Sequence, residues 1–431
     1  MASTPATPDR PRQGWRAVLF ARRSLGIQLG TERLEAVLAV LAPGLVERPP
    51  FVVTQIVGTN GKGSTAAMLA HGLGNRVQGP VGLYTSPHLH RVGERVRVDG
   101  VPVSDEVIRV GVERVARAEQ RAGVSLSFFE VLTALALAHF VARGCTHVVL
   151  EAGLGGRYDA TSVLPSALTL IAKIGLDHQA VLGESIEAIA AEKGAVLHAG
   201  APAISVAQIP TAWTVLRAQA ARVGATLRVV APLAAEGPDQ RQGPRQLPLL
   251  GAHQGHNAAL ALAGLSELTG EPASAELLRG LSWPGRLERV GEMWLDVAHN
   301  LQGIEALLAA LVTLELRPVA AVFGCRADKP GEAMARALSR VAPLWWVDLS
   351  EREKGQHPPR TCARRFVGAG DPRLLAALAE TRDAGACMLV CGSHILVGAL
   401  RAWALDVDPA DRDDPTLTDP SLRSRPGARP R

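Results

Sequence analysis

The stretch that most constrains the fold is residues 52–64, VVTQIVGTNGKGS, in which a β-branched and apolar run is followed by a glycine-rich turn. A helix-forming sequence begins at Thr65, so the pattern predicts a strand, a phosphate-binding loop and a helix. The glycines let successive backbone N–H groups point into one concavity at the positive end of the helix dipole. Lys62 adds a cation for the β- and γ-phosphates, and Ser64 adds a hydroxyl. A flexible turn with a chance lysine is the alternative, but the flanking strand and helix favour nucleotide binding.

The composition indicates a multidomain globular protein. At 431 residues the chain is long enough for two or three domains, and 47% of its residues are hydrophobic against 20% charged. Polar residues interrupt each apolar run within about 18 positions, so no membrane-spanning segment is predicted. The net charge of +5 comes from interspersed basic and acidic side chains, which gives no case for nucleic-acid binding. The five cysteines lack CxxC spacing and predict free thiols in a reducing cytoplasm rather than zinc ligands or disulfides.

Lysine is rare in this chain, since only five of the 46 basic residues are lysine. In a chain that uses arginine almost everywhere, a lysine suggests a position where something other than a generic cation is needed. Chance placement of the five lysines is the alternative. Lys62 and Lys193 both lie in motif-like stretches. By itself, the pair Glu192-Lys193 is typical of a solvated helix face, so the pattern alone leaves its function open.

Strand-like and helix-like segments alternate in two successive series, which predicts two α/β domains with parallel sheets and crossover helices. The first series ends near residue 285, in the hinge-like sequence WPGR. We therefore predict an N-terminal P-loop ATPase-like domain over residues 15–285 and a smaller, Rossmann-like domain over residues 286–405. Residues 1–14 and 406–431 are rich in Pro and Arg and are predicted to be a disordered leader and a disordered tail.

Three side chains that follow predicted strands are candidates for a metal site. Ser86, Glu151 and His178 offer hydroxyl, carboxylate and imidazole ligands. The carboxyl ends of parallel strands meet at one edge of a sheet, where ligands collect. Together with phosphate oxygens, this set suits Mg²⁺, which prefers hard oxygen donors. An isolated histidine is more often structural, but His178 follows Asp177 in a short loop that closes a buried strand, which favours a site.

A larger set of motifs occurs in a fixed order along the chain. They are GTNGKGS, YTSPHL with GERVRVDG, SFFEVLTALAL, LEAGLGGRYDATSV, GLDHQAVLGESIEAIAAEKGAV, GAHQGHNAALAL, WPGRLE, LDVAHN and DKP. Together they resemble the dihydrofolate synthase/folylpolyglutamate synthase family, a branch of the Mur-type amide-bond ligases. The resemblance extends from about residue 25 to about residue 401, nearly the whole chain between the two predicted tails.

The resemblance implies an ATP-dependent carboxylate–amine ligase of folate metabolism. In such enzymes ATP phosphorylates a substrate carboxylate, and the amine of L-glutamate attacks the resulting acyl phosphate. The family's nucleotide-binding positions match Asn60, Gly61, Lys62, Gly63, Ser64, Asn257, Arg286, Asp296 and His299. ATP is therefore expected to bind between the two domains, with Mg²⁺ as the cofactor.

The resemblance also implies two metal sites. Ser86 and Glu151 match ligands of one Mg²⁺, and His178 matches a ligand of a second. Lys193 matches a lysine that the family carries as a carbamate, and only a neutral amine forms a carbamate. With an unperturbed pKa near 10.4, few lysines are neutral at pH 7, so the metal and its surroundings must stabilise the product. Lys62, Lys193 and His178 are thus the predicted catalytic residues.

The chain departs from the family pattern at a few positions. Gln179 and Leu301 replace the usual threonine and proline, and Ser162 replaces the usual asparagine. After Lys193 the chain has Gly-Ala-Val instead of Ala-Gly-Ile. None of these changes removes a predicted ligand, but the last one alters the neighbours of the lysine whose carbamylation the resemblance implies.

The resemblance places the acceptor, dihydropteroate or a reduced folate, against three short segments. Their residues are Gln28, Leu29, Gly30, Ser127, Phe128, Phe129, Glu130, Tyr158, Asp159 and Ala160. For each single residue, an ordinary loop or helix-core role is an equal alternative, because aromatic residues at helical spacing usually pack in a core.

Asp159 bears on whether the chain has both synthase activities. Its carboxylate either accepts hydrogen bonds from a pterin or caps the following helical turn. Gln28 stands where bifunctional relatives often have an acidic residue. We predict both dihydrofolate synthase and folylpolyglutamate synthase activity; the alternatives are a polyglutamate synthase only, a Mur-type ligase with another acceptor, and a non-catalytic nucleotide-binding regulator. The enzyme is expected to be a cytoplasmic monomer without nucleic-acid or membrane partners.

Overall fold

The computed structural model describes residues 14–26, 28, 30–233, 247–349 and 362–407. Residues 1–13 of the predicted leader, residues 408–431 of the predicted tail and Leu29 of the predicted acceptor pocket lie outside the described residues. Within the described ranges, no helix combines the length and the apolar character needed to cross a membrane.

The N-terminal domain has an eight-stranded sheet covered by helices. Its strands are β1 (Val52–Val57), β2 (Val81–Tyr84), β3 (Val96–Val98), β4 (Val101–Pro102), β5 (His147–Glu151), β6 (Leu168–Ile171), β7 (Pro202–Val206) and β8 (Thr226–Val230). Its helices are α1 (Gly14–Ala21), α2 (Glu32–Leu41), α3 (Lys62–Gly74), α4 (Asp105–Ala122), α5 (Phe128–Ala142), α6 (Gln179–Leu182), α7 (Ile186–Gly194), α8 (Pro210–Val223) and α9 (Ala252–Thr269). The strand order is β4-β3-β2-β5-β1-β6-β7-β8.

Strand β1 lies inside this sheet, between β5 and β6, and is buried on both faces. Only Val52 of its six residues is exposed. On one face Val53 joins a core cluster with Leu132 of α5, and on the other Ile56 joins a cluster with Leu69 of α3 and residues of α9. Central strands of parallel sheets are covered on both faces in this way. The carboxyl end of β1 is therefore held rigidly, and the glycine-rich loop starts from it.

The C-terminal domain has a six-stranded sheet. Its strands are β9 (Glu288–Val290), β10 (Met293–Leu295), β11 (Ala320–Phe323), β12 (Leu344–Asp348), β13 (Arg364–Val367) and β14 (Met388–Cys391), and its helices are α10 (Leu301–Thr313), α11 (Gly331–Leu338), α12 (Pro372–Asp383) and α13 (His394–Ala404). The order is β13-β12-β11-β14-β10-β9. Apolar clusters on both faces of the sheet, with Val322 in one and Phe323 in the other, show that successive residues of β11 point to opposite sides.

The predicted two-domain α/β fold with parallel sheets is confirmed for the central strands of both domains. The sequence did not predict the antiparallel strands at the edges of the two sheets. Strands β3 and β4 pair antiparallel beside β2, and β9 pairs antiparallel with β10. The periodicity missed β3 because it has three residues, of which only Val96 and Val98 are buried. Helix α7 begins at Ile186 because Ser185 caps its N-terminus by accepting a hydrogen bond from the Ala188 N–H.

The domains contact each other through buried polar groups. The Lys329 ammonium lies 2.5 Å from Asp177 Oδ1, and both side chains are more than nine-tenths buried. Asn300 Nδ2 donates to Asn60 Oδ1 at 2.9 Å and to Asp177 Oδ2 at 3.0 Å. Leu89 of the N-terminal domain belongs to the apolar core of the C-terminal domain. These contacts hold the two sheets in a defined relative position.

We expect Lys329→Met to lower the free energy of unfolding by about 3–5 kcal/mol, because it leaves the Asp177 carboxylate buried without its cation. Burial acts to raise the pKa of Asp177, but His299, His178 and Lys329 outweigh it and hold the pKa well below its usual range. The stability that this pair contributes is present above about pH 4 and is lost as the pH falls below it. The free energy of unfolding should therefore depend less on pH in the variant than in the wild type over this acidic range.

Urea unfolding followed by tryptophan fluorescence measures this effect. The matched control is Arg336→Met, which removes an exposed ion pair with Glu332 at 2.7 Å. Surface pairs of this kind contribute up to about 1 kcal/mol. A loss for Lys329→Met no larger than that for the control would contradict the stabilising role of the buried pair.

Candidate active site

The glycine-rich loop after β1 has the geometry of an anion cradle. Gly58 and Gly61 have φ values of +146° and +91°, which residues with a side chain rarely adopt. A Cβ atom at Gly61 would lie 2.2 Å from Asn257 Oδ1, and one at Gly58 would lie 2.8 Å from Ala172 Cβ. Helix α3 begins at Lys62, so its first unpaired backbone N–H groups face the loop. The segment thus has the strand, loop and helix that the sequence predicts.

Lys62, Ser86 and Glu151 lie beside this loop. The Lys62 ammonium donates to the Thr59 carbonyl oxygen at 3.3 Å. The Glu151 carboxylate is 4% exposed and accepts a hydrogen bond from the backbone N–H of Ser86 at 3.0 Å. Burial raises the pKa of Glu151, and the charge of Lys62 is the largest opposing effect. A Cβ atom at Gly63 would lie 3.4 Å from both carboxylate oxygens, so this glycine lets the carboxylate approach the start of α3.

His178 and Lys193 line the same cavity as the loop. His178 is exposed at the cavity surface, and partial desolvation there, followed by the charge of Lys329, lowers its pKa to about 4. Its imidazole is therefore neutral at pH 7, which is the form that binds metals. Lys193 is 4% exposed, and burial, followed by the charge of Lys62, lowers its pKa to about 7. Neutral amines of Lys193 are thus far more abundant at pH 7 than those of an exposed lysine.

Arg286 and Asn257 reach the loop from the region between the domains. Burial lowers the pKa of Arg286. Its Nη2 would lie 3.4 Å from a Cβ atom at Gly63, so the guanidinium adjoins the first turn of α3. Asn257 is 5% exposed and donates through Nδ2 to Gln254 Oε1 at 2.9 Å, which leaves its Oδ1 facing Gly61. Both side chains therefore contact the cradle predicted to bind phosphate.

Asp296 and His299 follow β10 in the C-terminal domain. The Asp296 carboxylate accepts hydrogen bonds from the backbone N–H groups of Leu287 at 2.9 Å and Ala298 at 2.8 Å, which fixes the turn. His299 Nδ1 lies 2.9 Å from the Val297 carbonyl oxygen, and its Nε2 lies 3.6 Å from Asp177 Oδ2. The turn thus directs His299 into the cavity between the domains.

The predicted acceptor pocket forms the aromatic end of the cavity. Gln28, Phe128 and Phe129 line it. Ser127 and Glu130 also border it, but they form a capping box at the start of α5, in which the Glu130 carboxylate accepts from the Ser127 N–H at 2.8 Å. Glu130 accepts a second hydrogen bond from an Arg33 guanidinium nitrogen at 3.0 Å. Two aromatic side chains are therefore the main apolar surface that this end offers to a ligand.

Gly30 differs from the prediction. Tyr158 and Ala160 line the cavity as predicted, whereas Gly30 is not among the described residues that line it. It has a φ of +101° in the turn before α2, and a Cβ atom there would lie 2.3 Å from Glu32 Oε2. Gly30 faces Glu32 because the chain turns there to start the helix.

Asp159 lines the cavity, but its carboxylate is used by its own loop. Oδ1 accepts from the Thr161 N–H at 3.0 Å and hydroxyl at 2.6 Å, and Oδ2 accepts from the Leu154 N–H at 2.8 Å. Burial raises the pKa of Asp159, and these hydrogen bonds act against burial. Of the two roles left open by the sequence, the structure has the geometry of the helix cap.

A single cavity of about 1930 Å³ joins the loop, the region between the domains and the aromatic end. The predicted residues that line it are Gln28, Asn60, Gly61, Lys62, Gly63, Ser64, Ser86, Ser127, Phe128, Phe129, Glu130, Glu151, Tyr158, Asp159, Ala160, His178, Lys193, Asn257, Arg286, Asp296 and His299. They come from both domains and from segments far apart in sequence. The predicted nucleotide, metal and acceptor residues therefore share one space.

The charged or titratable cavity residues that the sequence reasoning missed include Arg95, Asp177, Lys329 and His394. Lys329 carried a signal, since it is one of five lysines and lies in the DKP motif. Asp177 precedes His178, and Arg95 lies in the GERVRVDG motif. His394 carried none, because a single histidine at the start of a helix has no distinguishing pattern.

The donors near the loop fit a divalent cation only together with a nucleotide. Among the described residues, no three His, Cys, Asp or Glu side chains are grouped so that they could hold a metal. The Glu151 carboxylate and the neighbouring Ser86 supply oxygen donors, and Mg²⁺ sites of this kind take their remaining ligands from phosphate and water. The neutral imidazole of His178 suits a second ion.

Similarity to known proteins extends over most of the chain. The glutamate ligase domain of Mur ligases matches residues 285–394. A dihydrofolate synthase/folylpolyglutamate synthase from Escherichia coli is 32% identical over 89% of this chain and 93% of its own length. The chain belongs to the dihydrofolate synthase/folylpolyglutamate synthase family. This membership confirms the resemblance inferred from the motifs.

One solved structure and one further relative are also similar to this chain. A bifunctional folylpolyglutamate synthase/dihydrofolate synthase from Yersinia pestis, solved with AMPPNP and a Mn ion, has a TM-score of 0.74 and 29% identity, covering 94% of this chain and 100% of that one. A probable bifunctional folylpolyglutamate synthase/dihydropteroate synthase from Halobacterium salinarum is 35% identical over 76% of this chain. The match covers only 43% of that relative, so the chain spans less than half of its length.

Proposed function

We propose that this protein is an ATP-dependent ligase that joins L-glutamate to the carboxylate of a pteroate or folate through an acyl phosphate. The observation that carries the proposal is the single cavity in which the phosphate loop, Glu151, Lys193 and the aromatic end face one another. A nucleotide and an aromatic carboxylic acid fit this arrangement because one end offers N–H groups and cations and the other offers aromatic rings. The names of the family relatives support the same reaction.

In the first step, the acceptor carboxylate attacks the γ-phosphorus of ATP and ADP leaves. Residues 60–64 and Lys62 bind the phosphates through backbone N–H groups and an ammonium. Ser86 and Glu151 would hold one Mg²⁺, and His178 with modified Lys193 would hold a second. These ions supply positive charge to the phosphate oxygens. Arg286 adds a guanidinium that is already desolvated, which makes its electrostatic effect larger than in water.

In the second step, the amine of L-glutamate attacks the acyl carbon and phosphate leaves. The C-terminal domain closes the cavity over the reacting groups through Asn300 and Lys329, which contact Asn60 and Asp177. Excluding water protects the acyl phosphate from hydrolysis. The cross-domain hydrogen bonds therefore serve the reaction as well as the fold.

The modification of Lys193 is supported by its burial. A carbamate forms when the neutral amine attacks CO₂, and the pKa of about 7 makes that amine abundant at neutral pH. In the unfolded chain or on the surface, the same amine would be almost wholly protonated. The changed neighbours in Gly-Ala-Val leave Lys193 buried, with Gly194 buried beside it.

We propose both synthase activities, with dihydropteroate and a reduced folate as alternative acceptors. Support comes from relatives that carry both names rather than from Asp159, whose carboxylate accepts hydrogen bonds from its own loop. We also propose that the protein acts as a cytoplasmic monomer. All five cysteines are free thiols, which suits a reducing compartment.

Glutamate-dependent ADP release measured separately with dihydropteroate and with tetrahydrofolate tests the function. We expect both acceptors to support turnover and each reaction to require L-glutamate. Turnover with tetrahydrofolate alone would identify a polyglutamate synthase only. Absence of glutamate-dependent ADP release with either acceptor would contradict the proposal and favour a Mur-type ligase with another acceptor or a nucleotide-binding regulator.

A further inference from the structure

Arg95 is a buried cation on the cavity wall. It ends a 3₁₀ turn formed by Val92–Arg95 and leads directly into β3. The residue is 7% exposed and lines the cavity. Its carbonyl oxygen accepts a hydrogen bond from the Thr85 N–H at 2.9 Å, next to Ser86. The backbone of Arg95 is therefore tied to the segment that carries a predicted metal ligand.

Two contacts fix the orientation of this guanidinium. Arg95 Nε donates to His88 Nδ1 at 2.9 Å. Its Cζ atom lies 5.3 Å from the centroid of the Phe128 ring, within the range of a cation–π contact. Because the guanidinium is planar, one hydrogen bond and one ring face define both its position and its plane.

The same guanidinium also acts on the catalytic end. Burial raises the pKa values of Glu151 and Tyr84, and the charge of Arg95 acts against burial at both groups. Arg95 is thus in contact with the aromatic end through Phe128 and within electrostatic reach of Glu151, beside the phosphate loop. It lies where the two ends of the cavity meet.

We propose that Arg95 binds the carboxylate of the acceptor that is to be phosphorylated and orients it towards the γ-phosphate. This inference rests on the proposed function. Dihydropteroate carries its carboxylate on an aromatic ring, so with the aromatic part at Phe128 the carboxylate of this acceptor points along the wall towards Glu151. There it must approach a carboxylate and a polyphosphate, both anionic, and a guanidinium offsets that repulsion while fixing two oxygens at once. Arg95 is a positioning residue that keeps its proton throughout.

Arg23 and Arg97 are the natural comparisons. Arg23 also stacks on Phe128, with Cζ at 5.0 Å from the ring centroid, but it is exposed, so a carboxylate bound there would remain hydrated. Arg97 lies two residues after Arg95 on β3, and its Cζ is 4.9 Å from the Trp283 ring. It does not belong to the cavity lining among the described residues. Arg97→Ala is therefore a matched control.

The test measures binding of dihydropteroate and of its carboxamide analogue, which has the same rings without the anionic oxygens. Wild-type protein should bind the carboxylate at least about 30-fold more tightly than the amide, as expected for a buried charge pair. Arg95→Ala should bind both about equally and should raise the KM for the acceptor without changing the KM for ATP. Arg95→Lys keeps the charge and should recover part of the preference, and Arg97→Ala should retain all of it.

The outcomes separate this inference from the proposed function. Equal weakening of both ligands in Arg95→Ala would mean a structural role and would overturn the inference, as would a change in the KM for ATP alone. If Arg95→Ala does not fold, the carboxylate-to-amide ratio of Arg95→Lys decides, and an unchanged ratio overturns the inference. Wild-type protein without glutamate-dependent ADP release would instead contradict the proposed function, and the inference would fail with it.

Discussion

Replacing Lys62 with alanine is expected to lower kcat by about two to three orders of magnitude while leaving the fold intact. In the proposed reaction, the Lys62 ammonium stabilises the negative charge of the transferred phosphoryl group. The ammonium lies beside the loop, and its charge acts against the burial that raises the pKa of Glu151. Alanine removes that cation from the phosphate loop. The substitution should leave the fold intact, because the hydrogen bond that the ammonium donates to the Thr59 carbonyl oxygen is long, at 3.3 Å, and therefore weak. Steady-state ADP formation and circular dichroism measure the two parts of this expectation.

Lys173→Ala is the matched control for this experiment. Lys173 follows β6 and also lines the cavity, but its ammonium donates to the Ala207 carbonyl oxygen at 2.9 Å, and its backbone contacts to the loop are kept in the variant. Its replacement should change kcat by less than about threefold, as expected for a partly exposed side chain outside the reacting groups. Near-wild-type ADP formation by Lys62→Ala, or an equal loss in both variants, would refute the proposed role of Lys62.

Replacing Lys193 with arginine is expected to lower activity by about 100-fold or more, although the positive charge is kept. A guanidinium stays protonated and forms no carbamate, so the oxygen ligands that the modified lysine would supply are lost. Intact-protein mass spectrometry under CO₂ and ¹³C NMR with labelled bicarbonate detect the carbamate directly. The label should appear in wild-type protein and be absent from Lys193→Arg.

The pH dependence gives an independent check on Lys193. Its pKa is lowered by burial from about 10.4 to about 7, so the amine becomes neutral as the pH rises through 7. Carbamylation and activity at fixed bicarbonate should therefore rise with pH over this range. Between pH 7 and 10 the unfolded chain binds more protons at this residue than the folded one, so Lys193 makes the protein more stable as the pH rises. Wild-type activity without bound label, or full activity of Lys193→Arg, would contradict the modification.

The amino-acid sequence by itself determined the features that depend on neighbouring residues. The strand, glycine-rich loop and helix at residues 52–64 follow from local periodicity and glycine content, and the structure has them at those positions. The two alternating series predicted two α/β domains because each crossover helix follows its strand directly. Strand β3 escaped prediction because three residues contain too little periodicity to recognise.

Only the tertiary structure decided which side chains meet. Lys329 and Asp177 are 152 residues apart, and their buried ion pair depends on how the two domains pack. The sequence left Asp159 open as either a pterin ligand or a helix cap. In the structure, backbone N–H groups of residues 154 and 161 donate hydrogen bonds to its carboxylate. In the sequence, nothing distinguishes Arg95 from the other arginines of strand-like stretches. Its burial beside Phe128 and His88, which only the tertiary structure shows, makes it a candidate ligand of the substrate. Local sequence fixes backbone conformation, whereas desolvation and long-range contacts set the charge, the pKa and the partners of each group.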